Sequence, residues 1–380
     1  MRQNRTMKTS QMRWTDDSGW KVSSGKPMDS KDCQLVLVFA SPDCLGGSAL
    51  NELREYFPNA RIVGGSSAGN VMDTTCSVND IVATAVTFAE SRVATRLVEI
   101  PPDGNTFDLV NQAAKGLLSD DLKHILVLSD GLNINGSELA RAVNIGNDVS
   151  VTGGLMGDNG RFEETFVIAD GEAFSNAVVL IGFYGDKLKI GHGCYAGWDE
   201  FGINRKITKS NHNVVYEIDG EPALKLYKKY LGDFGGDLPA SGLRFPLSIT
   251  EKDGVRLIRT LLGVDEEAQS LTFAGDVPEG ATTLLMKGNI ENLIDGAGTA
   301  AKQAYIESGS NGLAVVISCV GRRMLMDQLV EEELDAVKDA LGGKVTQTGF
   351  YSYGELAPHS NDAVQCQLHN QTMTLFTLYE

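Results

Sequence analysis

The stretch Gln34–Gly69, QLVLVFASPDCLGGSALNELREYFPNARIVGGSSAG, decides the fold class. It opens with the apolar run of residues 34–40, which predicts a buried β-strand. Ser48 can cap a helix whose apolar residues share one face, and Pro58 ends that helix. Residues 61–63 predict a second strand before a turn of glycine and serine. Strand, helix and strand in this order indicate an α/β protein.

The rest of the chain continues this mixture of strands and helices. Apolar runs predict strands at 81–89, 93–100, 124–128, 214–218, 255–259, 271–273, 282–286, 312–318, 349–353 and 371–379. Short strands separated by Gly and Asp turns are typical of antiparallel sheet, and they occur at 149–152, 165–169, 177–183 and 188–195. Helices are predicted at 293–305 and 327–341. The expected fold is α/β (α+β), with mixed, largely antiparallel sheets flanked by helices.

The length of 380 residues favours two domains. Residues 1–31 are polar, and we interpret them as a mobile N-terminal lead-in segment. Its Trp14 and Trp20 are expected to dock locally. The turn at Asp219–Pro222 opens a helix, and we place the domain boundary there. The expected division is therefore 1–31, 32–221 and 222–380.

The composition excludes several classes of protein. A net charge of −17 repels phosphate backbones and anionic lipid surfaces, so we expect neither nucleic acid nor membrane as a partner. No run of about 18 apolar residues predicts a membrane span, and no signal peptide is evident. The six cysteines are scattered without a C-x-x-C pair, which favours reduced thiols in the cytoplasm.

The turn at Gly65–Gly69 (GSSAG) fits the motif G-x-S-x-G, which in hydrolases presents a nucleophilic serine at a strand-to-helix turn. The preceding strand is predicted, but residues 70–81 show no helical stripe. Ser67 as a nucleophile is therefore one interpretation. The other is a turn, including Ser66, that lines a pocket with backbone N–H groups.

Residues 151–160 (VTGGLMGDNG) form the densest glycine stretch. Glycines such as Gly153 and Gly154 let a backbone approach a ligand closely. No helix is predicted after them, so the Rossmann and P-loop interpretations fail. A ligand-binding loop and a plain hairpin-like loop both remain open.

Residues 190–198 (IGHGCYAGW) are strand-like, and alternation places His192 and Cys194 on one face. Both side chains could contact one metal or haem iron, or His192 could simply be hydrogen-bonded. Trp198 would then cover the end of the sheet or a pocket.

Arg322 and Arg323 follow a predicted buried strand. Two arginines at the exit of a strand can hold a carboxylate or phosphate through paired hydrogen bonds. The alternative is an ion pair with an acidic residue of the segment Glu331–Glu333.

The segment Gly349–Glu355 (GFYSYGE) begins the most polar-aromatic cluster of the chain. Glu355 among aromatic residues could have a raised pKa, or it could pair with an arginine. The spacing of cysteine and histidine nearby resembles metal ligation, but no fourth ligand for zinc is supplied. The residues concerned are His359, Cys366, His369 and Asn370.

These segments together resemble the FIST family (F-box and intracellular signal transduction) over about residues 33–380. In the first half the similar segments are Ile62–Gly69, Thr152–Gly154 with Gly157-Asp158, Gly193–Gly202 and Asp219–Ala223. In the second half they are Phe245–Leu247, Val277–Gly280, Ser318–Arg322, Gly349–Glu355 and Leu368–Thr372. The expected domains are therefore a FIST N domain at 32–221 and a FIST C domain at 222–380.

The resemblance implies a sensory protein and not an enzyme. FIST domains occur beside kinases, cyclic-dinucleotide enzymes and chemotaxis receptors, and amino acids are proposed as their ligands. Free-standing bacterial members bind haem, sense nitric oxide and signal through a histidine kinase. The chain shows no output domain, so we expect a stand-alone sensor with a partner kinase or cyclic-dinucleotide enzyme, and a homo-oligomer is a further expectation.

Three ligand hypotheses follow. With haem, the expected axial ligand is His192 first and then His369 or His359. With an amino acid or organic acid, Arg322 and Arg323 would hold the carboxylate and Glu355 the amine. A serine hydrolase using Ser67 is the third. The residues expected to contact a ligand are Ser66, Ser67, Gly153, Gly154, Trp198, Arg322, Arg323, Tyr353, Glu355 and Asn370.

Overall fold

A computed structural model of the chain describes residues 6–25, 28–146, 149–251, 254–360, 363 and 365–380. Strands and helices are numbered along the chain. The described residues form four sheets. Three of them share one arrangement of strands and are together called the body. The fourth lies within residues 199–287 and is called the inserted unit. The helices are α1 (Ala49–Tyr56), α2 (Thr106–Lys115), α3 (Gly136–Ala142), α4 (Ala223–Leu231), α5 (Ile290–Ala304), α6 (Val320–Met326) and α7 (Val330–Leu341).

The strands of the body lie in the following spatial order. Sheet I contains β12 (Glu172–Phe174), β11 (Val167–Ala169), β4 (Arg61–Ser66), β3 (Leu35–Ala40), β7 (Ile81–Thr87), β1 (Lys8–Thr15) and β2 (Gly19–Gly25). Sheet II contains β27 (Cys366–His369), β26 (Gly354–Pro358), β10 (Ser150–Leu155), β9 (Leu122–Ser129), β13 (Ala177–Tyr184) and β8 (Arg92–Glu99). Sheet III contains β6 (Thr75–Ser77), β5 (Asn70–Met72), β25 (Val345–Ser352), β24 (Gly312–Cys319), β28 (Met373–Tyr379) and β14 (Lys189–Tyr195).

The inserted unit follows β14 and precedes α5. Its main path is β20 (Arg256–Arg259), β19 (Leu247–Thr250), β23 (Thr282–Lys287), β16 (Arg205–Asn211), β17 (Val214–Ile218), β22 (Ser270–Phe273) and β21 (Leu261–Asp265). Two short strands join it at the side, β15 (Asp199–Glu200) on β23 and β18 (Glu221–Pro222) on β17. Helix α4 covers its core. Residues 221 and 222, between which the two domains are expected to meet, lie in the sequence range of this unit.

Each sheet of the body has a parallel central pair joined through a helical crossover. The pairs are β3 with β4, β9 with β10, and β24 with β25. An antiparallel strand flanks the first member of each pair, namely β7, β13 or β28. Parallel neighbours require a crossover connection, which α1, α3 and the α6–α7 segment occupy.

In each sheet, the chain that leaves the second parallel strand continues into a strand of another sheet, and the three connections form a closed cycle. The chain that leaves β4 of sheet I forms β5, which pairs with β25 of sheet III. The chain that leaves β25 forms β26, which pairs with β10 of sheet II. The chain that leaves β10 forms β11, which pairs with β4 of sheet I. This cycle ties the body into one cooperative unit with a threefold internal plan.

A glycine marks the same position in each sheet. It lies on the second parallel strand, opposite a valine of the first, and a Cβ atom there would collide with the carbonyl of that valine. The pairs are Gly64 with Val38, Gly153 with Val127, and Gly349 with Val316. These glycines let neighbouring backbones approach closely.

The inner faces of the three sheets meet in a shared apolar core. Phe39 of sheet I stacks on Phe350 of sheet III with 4.7 Å between ring centroids. Leu126 of sheet II and Ile317 of sheet III are fully buried in the same cluster. Helices cover the outer faces, α1 on sheet I and α2, α3, α5, α6 and α7 on sheets II and III.

One expectation about elements is wrong, and another holds only in part. Residues 8–25 are not a mobile lead-in, because they form a hairpin that pairs with β7 of sheet I. Trp14 is buried there, and the indole N–H of Trp20 donates to the carbonyl of Ala49. Residues 1–5 and 26–27 lie outside the described residues. The strand expected at 149–152 has mixed pairing, because β10 is parallel to β9 and antiparallel to β26.

Across the described residues, no helix has both the length and the apolar character needed to cross a lipid bilayer.

Candidate functional site

Two adjoining cavities lie where the inserted unit faces the body, and together they are called the cleft. The larger has a volume of about 310 Å³ and the smaller of about 240 Å³. They share Phe162 and Tyr353 from the body and Leu262 and Ala274 from the inserted unit. Cavities between two structural units and of this size are typical small-molecule sites.

The larger cavity has mostly apolar walls. Leu243 and Leu261 come from the inserted unit, whereas Val320 and Met324 come from α6 of the body. Thr260 is also part of this wall. A mostly apolar wall with a few placed polar groups provides affinity through burial and orientation through hydrogen bonds.

Tyr353 is fixed at the point where the two cavities meet. Its hydroxyl donates to the carboxylate of Asp158 and accepts the backbone N–H of Gly160 at 3.0 Å. Burial, followed by the hydrogen bond to Asp158, raises the pKa of Tyr353. The ring of Phe162 stacks on the Tyr353 ring with 4.4 Å between centroids. The cleft therefore has a rigid aromatic wall.

Asp158 shapes the loop that carries Phe162. Its carboxylate accepts the backbone N–H groups of Phe162 at 2.9 Å, Glu163 at 2.7 Å and Glu164 at 3.0 Å. Burial by itself would raise the pKa of Asp158, but these bonds and the one from Tyr353 lower it overall. A charged acceptor of several N–H groups fixes a loop strongly.

Glu355 lies behind the cleft on β26 and is fully buried. Its carboxylate accepts the hydroxyl of Ser352 at 2.6 Å, and the hydroxyl of Thr372 at 2.9 Å. Burial raises the pKa of Glu355 to about 7, against the effect of these hydrogen bonds. The first of the two interpretations for this residue, a raised pKa, is therefore the one that the structure favours.

Arg322 is enclosed and fully engaged. Its guanidinium donates to Glu333 from Nε at 3.0 Å and from Nη2 at 2.8 Å, and neither side chain is exposed. Further bonds go to the carbonyls of Ala196 and Leu293, both at 2.7 Å. The structure thus favours the ion-pair alternative for this arginine. Arg323 donates to the carbonyl of Ala68 at 2.6 Å.

Ser67 is buried in a network of side chains at the end of β4. Its hydroxyl donates to Oδ1 of Asn70 at 2.5 Å and accepts the N–H of Gly69 at 3.1 Å. Asn70 in turn donates to Asp80 at 2.7 Å. Ser66 accepts the N–H of Phe166 at 2.9 Å. These bonds hold turns and strands together, and they pair Ser67 with an amide where a serine nucleophile needs a general base.

Gly153 and Gly154 lie within β10, not in a loop. A Cβ atom at Gly154 would press on Ile317 and Phe350 in the shared core. Both glycines therefore serve the contact between sheets.

Trp198 lies at the junction of the two units, buried with Met286 of the inserted unit and Leu293 of the body. Its indole N–H donates to the carbonyl of Gln371 at 2.9 Å. Asn370, the preceding residue, donates to the carbonyl of Ala274 at 3.3 Å. The segment 370–371 thus links the body to the wall of the cleft.

The three candidate haem ligands are not brought together around a cavity. His369 is buried on β27, where Nε2 lies 3.1 Å from the carbonyl of Ala357, and burial lowers its pKa to about 4. His192 is half-buried opposite Phe376, and burial lowers its pKa as well. His359 is exposed. None of them lines the cleft, so these residues do not fit an axial role there, and haem binding stays a prediction.

Within the part of the chain that the structure describes, no three histidine, cysteine, aspartate or glutamate side chains are grouped so that they could hold a metal ion.

Of the residues expected to contact a ligand, Tyr353 lines the cleft and Asn370 lies directly behind it. Phe162, Thr260 and Leu262 also line it, although no sequence motif singles them out. Phe162 follows the glycine stretch by two residues, and this proximity is a usable signal. Thr260 and Leu262 are far from every motif, and only the fold brings them to Tyr353.

Family models match most of the chain. One described as the FIST N domain covers residues 34–221, and one described as the FIST C domain covers residues 223–358. An uncharacterized protein of Methanocaldococcus jannaschii is 30% identical over 239 residues, which is 54% of this chain and 45% of that protein. The chain thus matches about half the length of this relative.

Two solved structures are distantly similar. A cyanuric acid hydrolase from A. caulinodans has a TM-score of 0.34 and 9% identity, with 92% of this chain and 91% of that chain covered. A second cyanuric acid hydrolase has a TM-score of 0.33 and 10% identity, with 99% and 100% covered. Likeness at this level carries no conclusion about activity. The family models show that the chain belongs to the FIST family, whose domains are sensory domains of signal transduction.

Proposed function

We propose that this protein is a cytoplasmic sensor that binds a small molecule in the cleft and reports its occupancy to a partner signalling protein, such as a histidine kinase or a cyclic-dinucleotide enzyme. The observation that carries this proposal is the cleft itself. It is a pair of adjoining cavities with a fixed aromatic wall at Tyr353, and it lies between two units of one chain.

The position of the cleft provides a way to transmit binding. A ligand there would contact the loop of Phe162 on the body and the segment around Leu262 on the inserted unit at the same time. It would therefore stabilise arrangements in which the two units approach each other. The outer surface of the inserted unit would shift relative to the body, and a partner can read such a shift.

The proposal contains no catalytic step. Ser67, the candidate nucleophile, is hydrogen-bonded to Asn70 and to the N–H of Gly69. It does not line either cavity of the cleft. The proposal also does not use Arg322 to hold a carboxylate, because that guanidinium is paired with Glu333.

A thermal-shift screen of small molecules tests the proposal. Ala240 is exposed at the rim of the larger cavity, so Ala240→Phe should obstruct the cleft without disturbing the core. Ala268→Phe is the matched control, because Ala268 is also exposed on the inserted unit but lines neither cavity. We expect at least one compound that raises the melting temperature of the wild type and of the Ala268 variant, but not of the Ala240 variant. Equal shifts in all three proteins, or no ligand at all, would overturn the proposal.

A further inference from the structure

A further cavity, with a volume of about 460 Å³, lies at another junction of the inserted unit and the body, and it is called the second cavity. Arg244 and Leu325 line it, whereas their chain neighbours Leu243 and Met324 line the larger cavity of the cleft. Residues 243–244 and helix α6 therefore separate the two. The second cavity shares no described lining residue with the cleft.

The wall of the second cavity is mainly aromatic and aliphatic. The rings of Phe234 and Phe245 contact each other with 5.5 Å between centroids. Phe201 and Phe234 are 44% and 48% exposed, so both present ring surface to a ligand. Covering such surface is favourable in proportion to the apolar area that leaves water. The remaining apolar or small residues of the wall are Tyr230, Leu231, Gly288, Ile290 and Leu325.

Both charged residues of the described lining are cations, Arg244 and Lys287, and both are exposed. Among the described residues, no ion pair holds either of them. Asp199 lies opposite Lys287 on the neighbouring strand, but its carboxylate accepts the side-chain amide of Asn292 at 2.6 Å. In a chain with a net charge of −17, the lining of this cavity is thus locally positive.

The apolar wall and the two cations contribute differently to binding. An ion pair exposed to water is weak by itself, so burial of apolar surface has to supply most of the affinity. The cations decide which charge the ligand carries, because they attract an anion and repel an ammonium group. A small anion without an apolar body would bury too little surface to bind well.

We propose that the second cavity binds a carboxylate with an aromatic or alkyl body, which packs on Phe201 and Phe234 while the carboxylate lies near Arg244 and Lys287. This site is separate from the cleft and has its own class of ligand. It therefore goes beyond the proposed function and does not depend on what the cleft binds. It also uses cations other than Arg322, whose guanidinium is occupied by Glu333.

Ligand-observed NMR on the full chain tests the inference with four probes. 2-Naphthoate combines the body and the charge, 2-naphthamide keeps only the body, acetate keeps only the charge, and protonated 2-naphthylmethylamine reverses the charge. We expect 2-naphthoate to bind roughly tenfold more tightly than the amide, and acetate and the amine to bind more weakly than both. The preference for 2-naphthoate should shrink in about 0.5 M salt, because salt screens exposed charges.

Removal of both cations separates the charge from the wall. In the double variant Arg244→Gln, Lys287→Gln we expect 2-naphthoate to bind no more tightly than the amide, while binding of the amide stays unchanged. The matched control is Lys206→Gln, Lys225→Gln. It lowers the net charge equally, and both lysines are exposed on the inserted unit but line neither the second cavity nor the cleft. The control should keep the preference for 2-naphthoate.

Phe201→Ala tests the apolar wall. It should weaken 2-naphthoate and 2-naphthamide alike, roughly three- to tenfold, because both lose the same ring contact. Tyr195→Ala is the matched control, since Tyr195 is also 44% exposed but lines neither the second cavity nor the cleft. It should leave the binding of both probes unchanged.

The Ala240→Phe variant locates the probes. It obstructs the cleft, so binding of 2-naphthoate to the second cavity should persist in it, and loss of binding there would place the probe in the cleft and overturn the inference. Equal binding of 2-naphthoate and its amide to the wild type, an unchanged preference in the Arg244, Lys287 double variant, or no binding of 2-naphthoate would overturn it as well. The proposed function survives each of these results, because its own screen concerns the cleft.

Discussion

At the scale of single residues, the Arg322–Glu333 ion pair should be costly to break. Both side chains are fully buried, so removal of the guanidinium leaves the Glu333 carboxylate without its counter-ion. We expect Arg322→Met to lower the free energy of unfolding by about 3–5 kcal/mol, measured by urea denaturation. Arg61→Met is the control, because Arg61 and Asp170 form an exposed pair at 3.1 Å that is worth less than about 1 kcal/mol. Similar losses in both variants would contradict the structural role of Arg322.

Glu355 should make stability depend on pH. Burial raises its pKa to about 7, whereas an unfolded chain has an ordinary glutamate pKa of about 4.3. Between these values the folded state keeps a proton that the unfolded state has lost. Stability contributed by the protonated form is therefore complete at low pH and is lost as pH rises towards about 7.

Glu355→Gln removes this titration. We expect the stability of the variant relative to the wild type to increase from pH 4 to pH 8, by an amount on the order of 3 kcal/mol. Urea denaturation at both pH values measures it, and other titrating groups cancel because both proteins contain them. Parallel pH profiles of the two proteins would show that Glu355 keeps an ordinary pKa in the fold.

At the scale of elements, the glycine on each second parallel strand should tolerate no side chain. Alanine at Gly64, Gly153 or Gly349 would collide with the valine carbonyl of the neighbouring strand. We expect each substitution to cost about 2–3 kcal/mol or more, or to prevent folding. Gly343→Ala, at an open position, should be nearly neutral by the same thermal or urea measurement. A harmless substitution at any one of the three would contradict the common plan of the sheets.

Elements with strong local patterns could be predicted from the sequence, and those that depend on distant partners could not. β3, β9 and β24 are predicted within a few residues, because continuous apolar runs mark strands that are buried on both faces. β1 has a polar sequence and is a strand because β7 supplies its partner. The exchanged hairpin strand β5 is three residues long, too short for any periodicity to show.

At the scale of the whole molecule, the difference between local patterns and distant partners also explains which residues of the site could be predicted from the sequence. Tyr353 lies in an aromatic segment that is unusual by itself, so it could be predicted. Thr260 and Leu262 are ordinary residues of the inserted unit, and they become wall residues only because that unit folds against the body. For Arg322 the sequence allows both an anion-binding role and an ion pair with the segment Glu331–Glu333, and only the fold selects the pair with Glu333. The sequence therefore predicts only part of a site between two units. It identifies the wall residues that lie in a distinctive segment and misses the others.

The haem prediction also belongs to this scale, because haem requires an apolar cavity that contains an axial ligand. His369 lies inside a strand pair and His359 on the surface, while His192 lies on β14 of sheet III and lines neither cavity of the cleft. We therefore expect that titration with hemin, followed by absorption spectroscopy, gives no stoichiometric Soret band. A band that shifts when nitric oxide is added would reverse this conclusion. Alanine variants at 192, 359 and 369 would then identify the ligand, because the band would be lost in the variant that lacks it.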